Sequence, residues 1–178
     1  MLKNKLLKVF FLALTLILGS ASFAQAERLV RIGFFPNITH AHALIAQNML
    51  VDDKDWFEQR IPGIKTEWFS FNAGPSAMES LFAKAIDFTY VGPNPALNAY
   101  IRSKGDDVRV LSGAVRGGAA MVAAPDKMYA APADFRGAKV ATPQLGNTQD
   151  IACRHWFKKA GLNVTMTGGD VLITPTPN

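Results

Sequence analysis

Cysteine is all but missing from the chain: Cys153 is the only one in 178 residues. An intrachain disulfide is therefore excluded, in whatever compartment the protein resides. Histidine is scarce, with three residues. Two of them, His40 and His42, are spaced i, i+2, which on a helix turns the rings about 200° apart and makes a poor metal pair. Walker A, G-x-G-x-x-G, G-x-S-x-G and H-E-x-x-H patterns are all absent, which removes the usual P-loop, dinucleotide, hydrolase and zincin readings. No apolar run approaches the roughly 20 residues of a membrane-spanning helix. A basic run or RNA-binding motif is also lacking. The formal charge of +5 is partly illusory, since three of the 19 Lys and Arg lie in the first eight residues and leave a surplus of +2 over the 14 acidic residues. No nucleic-acid partner is expected. No catalytic residue, metal site or cofactor is indicated either.

What is present begins with an export signal. MLKNKLLK is a basic start, and residues 9–19 (VFFLALTLILG) form an apolar stretch of 11 residues. SASFAQA follows, with Ala24 and Ala26 in the small-x-small pattern of signal peptidase. Residues 1–26 are read as a cleaved signal peptide, leaving 152 mature residues in the periplasm.

The mature chain, 49% hydrophobic over its full length, alternates strands and helices. Strands are expected at 28–35, 65–72, 86–92, 108–115, 138–144 and 171–178. Helices are expected at 40–50, 52–60, 73–85, 93–105 and 146–162. Thr39 is placed to cap the first helix. Ala41, Leu44, Ile45 and Met49 form its expected stripe, and Leu97, Tyr100 and Ile101 that of the helix at 93–105. Cys153, Trp156, Phe157 and Ala160 follow the i, i+3, i+4, i+7 rule, so the thiol is read as a packing group. The alternation means βαβ units: an α/β fold of mostly parallel sheets flanked by helices.

Ligands of open α/β sheets bind beyond the carboxyl ends of the strands. Four strand-to-helix junctions have the needed composition: FPNITH (35–40), FNAGPS (71–76), VGPNP (91–95) and PQLGNTQ (143–149). Each sets the backbone with Gly or Pro and places Asn, Thr, Ser or Gln at a helix start. Free amides and the positive end of the helix dipole favour an anion there, although the same residues cap helices everywhere. Arg116, beside Gly117 and Gly118, is the one cleft cation the sequence suggests.

RIGFFPNITHAHALIA (31–46), FNAGPSAMESLFAKAIDFTYVGPNPALNAYI (71–101) and KVATPQLGNTQDIACRHWFKKAGL (139–162) together resemble the periplasmic solute-binding proteins of ABC importers. The similarity is to the nitrate/sulfonate/taurine/bicarbonate branch and extends over essentially all of 28–178. It implies a type II periplasmic-binding-protein fold, with lobe I over 27–115 and an incomplete lobe II over 116–178. It also implies a non-enzymatic, monomeric receptor that captures a small anion (sulfonate, nitrate, bicarbonate or phosphonate) and delivers it to an inner-membrane ABC permease. Carried over position by position, the ligand-binding residues are Asn37, Thr39 and His40, then Gly92 and Asn94, then Arg116 and Gly118, then Asn147, Thr148 and Gln149. The family also includes enzymes making a thiamine pyrimidine precursor. Lys84, Lys104, Lys139, Lys158 and Lys159 fall on helices or at strand starts rather than in the expected cleft. An exported sensor or interaction module is the third reading.

Two full lobes require roughly 200–300 residues, so a truncated form is expected from this length. A micromolar ligand needs about 8 kcal/mol, whereas each charged hydrogen bond supplies about 1.5–3. A few contacts from one lobe fall short once immobilisation is counted, so weak binding or none is expected of the chain by itself.

Overall fold

The computed structural model describes residues 27–52, 56–117 and 119–177. The signal-peptide assignment to 1–26 lies outside the described residues, as does Gly118. The chain forms β1 (Arg28–Phe34), a 3-10 turn (Ile38–His40), α1 (Ala41–Asp52), α2 (Trp56–Arg60), β2 (Ile64–Ser70), α3 (Gly74–Phe82), β3 (Phe88–Thr89) and α4 (Pro93–Arg102). After an irregular stretch come a second 3-10 turn (Pro132–Phe135), β4 (Lys139–Thr142), α5 (Thr148–Lys159), β5 (Val164–Thr165) and β6 (Val171–Pro175).

Two three-stranded sheets result, ordered β2-β1-β3 and β4-β6-β5, and every ladder is parallel. Ile32 pairs with both Trp68 and Phe88, so their side chains share one face of the first sheet with those of Phe34 and Tyr90. Val140 pairs with Ile173 in the second sheet. The parallel βαβ expectation holds.

Each sheet has its own apolar packing. Phe135, Phe157, Leu162, Val164, Val171 and Ile173 form the core beside the second sheet, with Cys153 packed against it. Burial raises the Cys153 thiol pKa, consistent with a packing role. Met78, Ala99 and Val108 form a smaller cluster with Leu81, Phe82 and Val91.

Three sequence expectations fail. Residues 108–115 form no strand; Val108 is buried, but Val110 and Leu111 are 80% and 72% exposed. A β-prone run needs a ladder partner, and no described strand pairs with it. Leu97, Tyr100 and Ile101 of α4 are exposed, while Pro95 and Ala99 are buried. The cause is close helix approach: a Cβ on Gly74 of α3 would strike the Pro95 ring, so small residues face inward. On α1, Ala43 is fully buried and Ile45 is exposed.

Candidate functional site

The first junction closes on itself. Asn37, not Thr39, caps the 3-10 turn: its Oδ1 accepts from Thr39 N at 3.2 Å and from the Thr39 hydroxyl at 2.5 Å. His40 is buried with its ring 4.1 Å from that of Phe35. Its Nδ1 accepts the Phe35 amide at 3.2 Å, which puts the ring proton on Nε2. Burial, and secondarily the neighbouring His42, lowers its pKa to about 4, so His40 is neutral at physiological pH.

The other three junctions meet. Ala73 precedes α3 without a side-chain cap, and the Ser76 hydroxyl donates to its carbonyl at 2.8 Å. Loop 143–147 of the second sheet crosses here. Asn72 Nδ2 donates to the Pro143 carbonyl at 2.8 Å, and Ser76 N donates to Gln144 Oε1 at 3.4 Å. Gly92 precedes α4, also without a side-chain cap. Pro93 and Pro95 occupy two of the first three helical positions and have no N–H, so the Asn94 amide is the sole donor among those three. A Cβ on Gly92 would collide with the Thr148 hydroxyl at the start of α5. That Thr148 Oγ1 is buried and has no hydrogen-bond partner.

The start of α5 is partly occupied by its own side chains. Asn147 is buried and accepts the Asp150 amide at 2.7 Å. Asp150 is fully buried and accepts from the Thr142 hydroxyl at 3.0 Å, Gly146 N at 2.9 Å and Arg154 Nε at 3.0 Å. Burial alone pushes its carboxyl upward, but the hydrogen bonds from Arg154, Gly146 and Thr142 outweigh that and hold it below the ordinary aspartate value. Arg154 also donates to the Ile173 carbonyl at 3.3 Å, tying α5 to β6. Thr148 and Gln149, the first two helical residues, are positions whose amides have no intrahelical partner.

The structure thus gathers Gly92, Asn94, Asn147, Thr148 and Gln149 at one seam between the two sheets. Asn37, Thr39 and His40 sit at the adjoining junction, linked to it through Tyr90, whose ring lies 6.2 Å from His40 and 4.5 Å from His42. Arg116 stands apart, exposed in the irregular stretch. Sequence reasoning missed Asp150, although an acid in the first helical turn with arginine four residues on was a readable signal. Gln144 lies within the flagged 143–149 junction but was not singled out, since its partner Ser76 is distant in sequence.

The NMT1-like family model matches residues 24–178. The chain belongs to the NMT1-like family. Over 51 residues this NMT1-like chain is 37% identical to a Bacillus subtilis (strain 168) protein whose name assigns it to aliphatic sulfonate binding, covering 28% of the chain and 15% of that relative. Its fold is similar to that of the alkanesulfonate-binding protein SsuA from Xanthomonas axonopodis pv. citri, solved bound to MOPS. That likeness has TM-score 0.56 at 23% identity, covering 86% of this chain and 49% of the other. The periplasmic aliphatic sulphonate binding protein SsuA from Escherichia coli gives TM-score 0.48 at 23% identity, covering 84% and 47%. The NMT1-like chain therefore spans about half the length of the solved structures it matches. Its architecture, parallel sheets flanked by helices, is similar to that of about half of the Xanthomonas protein.

Proposed function

We propose that this chain acts in solute capture for an ABC import system, binding a small anion of the sulfonate class in the periplasm without catalysing a reaction. In this reading 27–115 and 116–178 are the two lobes, the anion sits at the seam, and an inner-membrane permease is the partner of a monomeric receptor. The observation that carries the reading is the meeting of Gly92 and Thr148. It joins helix starts from two different sheets and leaves a buried hydroxyl without a partner beside them. Amide donors fixed at helix starts favour a compact anion over a cation. The names of the relatives make sulfonate the first class to test.

The test is a thermal-shift panel of methanesulfonate, ethanesulfonate, nitrate, bicarbonate and methylphosphonate on the 178-residue chain. At ligand concentrations about tenfold above Kd, mass action stabilises by about 1.4 kcal/mol, a shift of a few degrees for a domain of this size. A sulfonate is expected to give it. Thr148→Ala, which deletes the unpartnered buried hydroxyl, is expected to remove the shift and leave cooperative unfolding intact. A shift preserved in that variant takes the seam hydroxyl out of the site.

A further inference from the structure

β2 is an edge strand: among the described residues it pairs with β1 alone. Its hydrogen-bonding parity is fixed at both ends. Arg28 N donates to the Gly63 carbonyl and Phe71 N donates to the Phe34 carbonyl, each at 2.8 Å. In a parallel ladder one residue sends both backbone groups to one neighbour and the next sends both to the other side, so Lys65, Glu67 and Phe69 serve β1. Ile64, Thr66, Trp68 and Ser70 therefore turn their N–H and C=O groups outward, a row that templates a further strand. The Thr66 amide in that row is already taken. Glu58 of α2 accepts it at 2.8 Å, and the Thr66 hydroxyl at 3.0 Å, through the single oxygen Oε1. Its Oε2 is buried without a hydrogen-bond partner. A sheltered carboxylate oxygen left unpaired is costly, so Glu58 serves stability poorly at this place and stops the edge well.

The edge is also complementary to itself. Two β2 strands laid antiparallel about a two-fold axis at Thr66 pair Thr66 with Thr66 and Ile64 with Trp68. All of these belong to the outward set, so the hydrogen-bonding parity of both copies matches. The same register sets Lys65 of each copy opposite Glu67 of the other, on the exposed face of the sheet, a favourable cross-strand pair made twice. Arg31, the β1 neighbour of Glu67, is held by Asp87 at 2.9 Å. Self-complementarity of this kind is what a two-fold contact requires, and its axis passes through the amide that Glu58 covers. We propose that the outer edge of β2 is a docking surface for a second copy of this chain, antiparallel and two-fold about Thr66, and that Glu58 holds it shut. Displacing Glu58 from both copies joins two three-stranded sheets into one continuous sheet.

The experiment is sedimentation velocity of the full chain over a concentration series, native against variants. Glu58→Ala is expected to self-associate at least about tenfold more tightly than the native chain, the scale of one charge-assisted hydrogen bond no longer competing for Thr66. Glu58→Gln keeps the size and a weaker acceptor, so a smaller gain in the same direction is expected. It decides the matter if circular dichroism shows that Glu58→Ala does not fold. Lys65→Glu added to the Glu58 variant faces two carboxylates across the axis and is expected to abolish the gain. Adding Glu67→Lys as well exchanges the charges and is expected to restore it. A folded Glu58 variant that associates no more tightly than the native chain overturns the proposal. A gain that survives Lys65→Glu, or that the exchange does not bring back, overturns it too, because the contact then lies elsewhere than β2.

Discussion

The Thr148 hydroxyl occupies the space that a side chain at position 92 would need. Glycine at 92 is therefore a condition for the two sheets to meet, since even one methyl there would hold them apart. Gly92→Ala is expected to destabilise the fold by about 1–3 kcal/mol, the usual cost of overpacking. Combined with Thr148→Ala, which removes the obstructing hydroxyl, the loss should be smaller than the two single losses added. A double-mutant cycle in urea reads that coupling, and strict additivity would show that the residues do not touch.

Asp150 and Arg154 form a buried pair that fixes loop 143–147 to α5 and α5 to β6. Asp150→Ala strands the partly buried guanidinium and frees the Gly146 amide. Breaking one side of such a pair costs about 3–5 kcal/mol, enough to leave the second sheet's half largely unfolded by circular dichroism. Asp150→Asn keeps the size and should cost less.

The same carboxylate gives a pH signature. Its folded pKa lies below the ordinary aspartate value, so its stabilisation is complete above the unfolded pKa, near 4, and is lost as pH falls through the lower folded value. Acid unfolding below about pH 4 should therefore be less steep in Asp150→Asn than in the native chain, as measured by urea midpoints across that window.

His40 acts in a separate, higher window. Its pKa is lowered from 6.5 to about 4, so the unfolded chain takes up a proton between those values while the folded chain does not. Stability from this group is full above pH 6.5 and declines as pH falls toward 4, by up to about 3 kcal/mol. His40→Gln should flatten that slope, and NMR titration of the ring should find it neutral at pH 5.

The stretch between α4 and the second 3-10 turn exposes Val110, Leu111, Val122 and Met128 and has no regular structure among its described residues. Exposed irregular backbone is cut first. Brief trypsin treatment should therefore cleave at Arg109, Arg116 or Lys127 before any site within a helix or strand, with the fragments read by mass spectrometry.

How far the sequence could be read depended on whether the deciding contact was local. β1 and β2 were visible because Pro36 and Pro62-Gly63 bracket runs of β-prone residues. The four junctions were visible because glycine, proline and capping side chains announce helix starts. The orientation of α4 was hidden, since its larger apolar residues suggested one face and the close approach of Gly74 to Pro95 selected another. The run at 108–115 had strand composition, but a strand is completed by a neighbour that no local pattern can supply. At the site, Asn147 was readable as a cap and is one. His40 was expected among the ligand-binding residues; its position against Phe35, with Nδ1 accepting a backbone amide, depends on a turn that composition alone does not specify. His42 and Trp68 are distant in sequence; the sheet register brings Trp68 toward Tyr90, whereas His42 reaches it from α1.

The paired prolines at the start of α4 have a chemical consequence. With nitrogen blocked at positions 93 and 95, the first three helical positions keep one amide donor, that of Asn94, and under the proposed function that amide is what this helix would offer an oxyanion. A sulfonate bound there would have three oxygens to satisfy, so at least two would turn toward other elements. On that proposal, discrimination among oxyanions would depend on how many oxygens each molecule presents and at what angles. Replacing either proline with alanine would add a competing donor and blunt that selectivity.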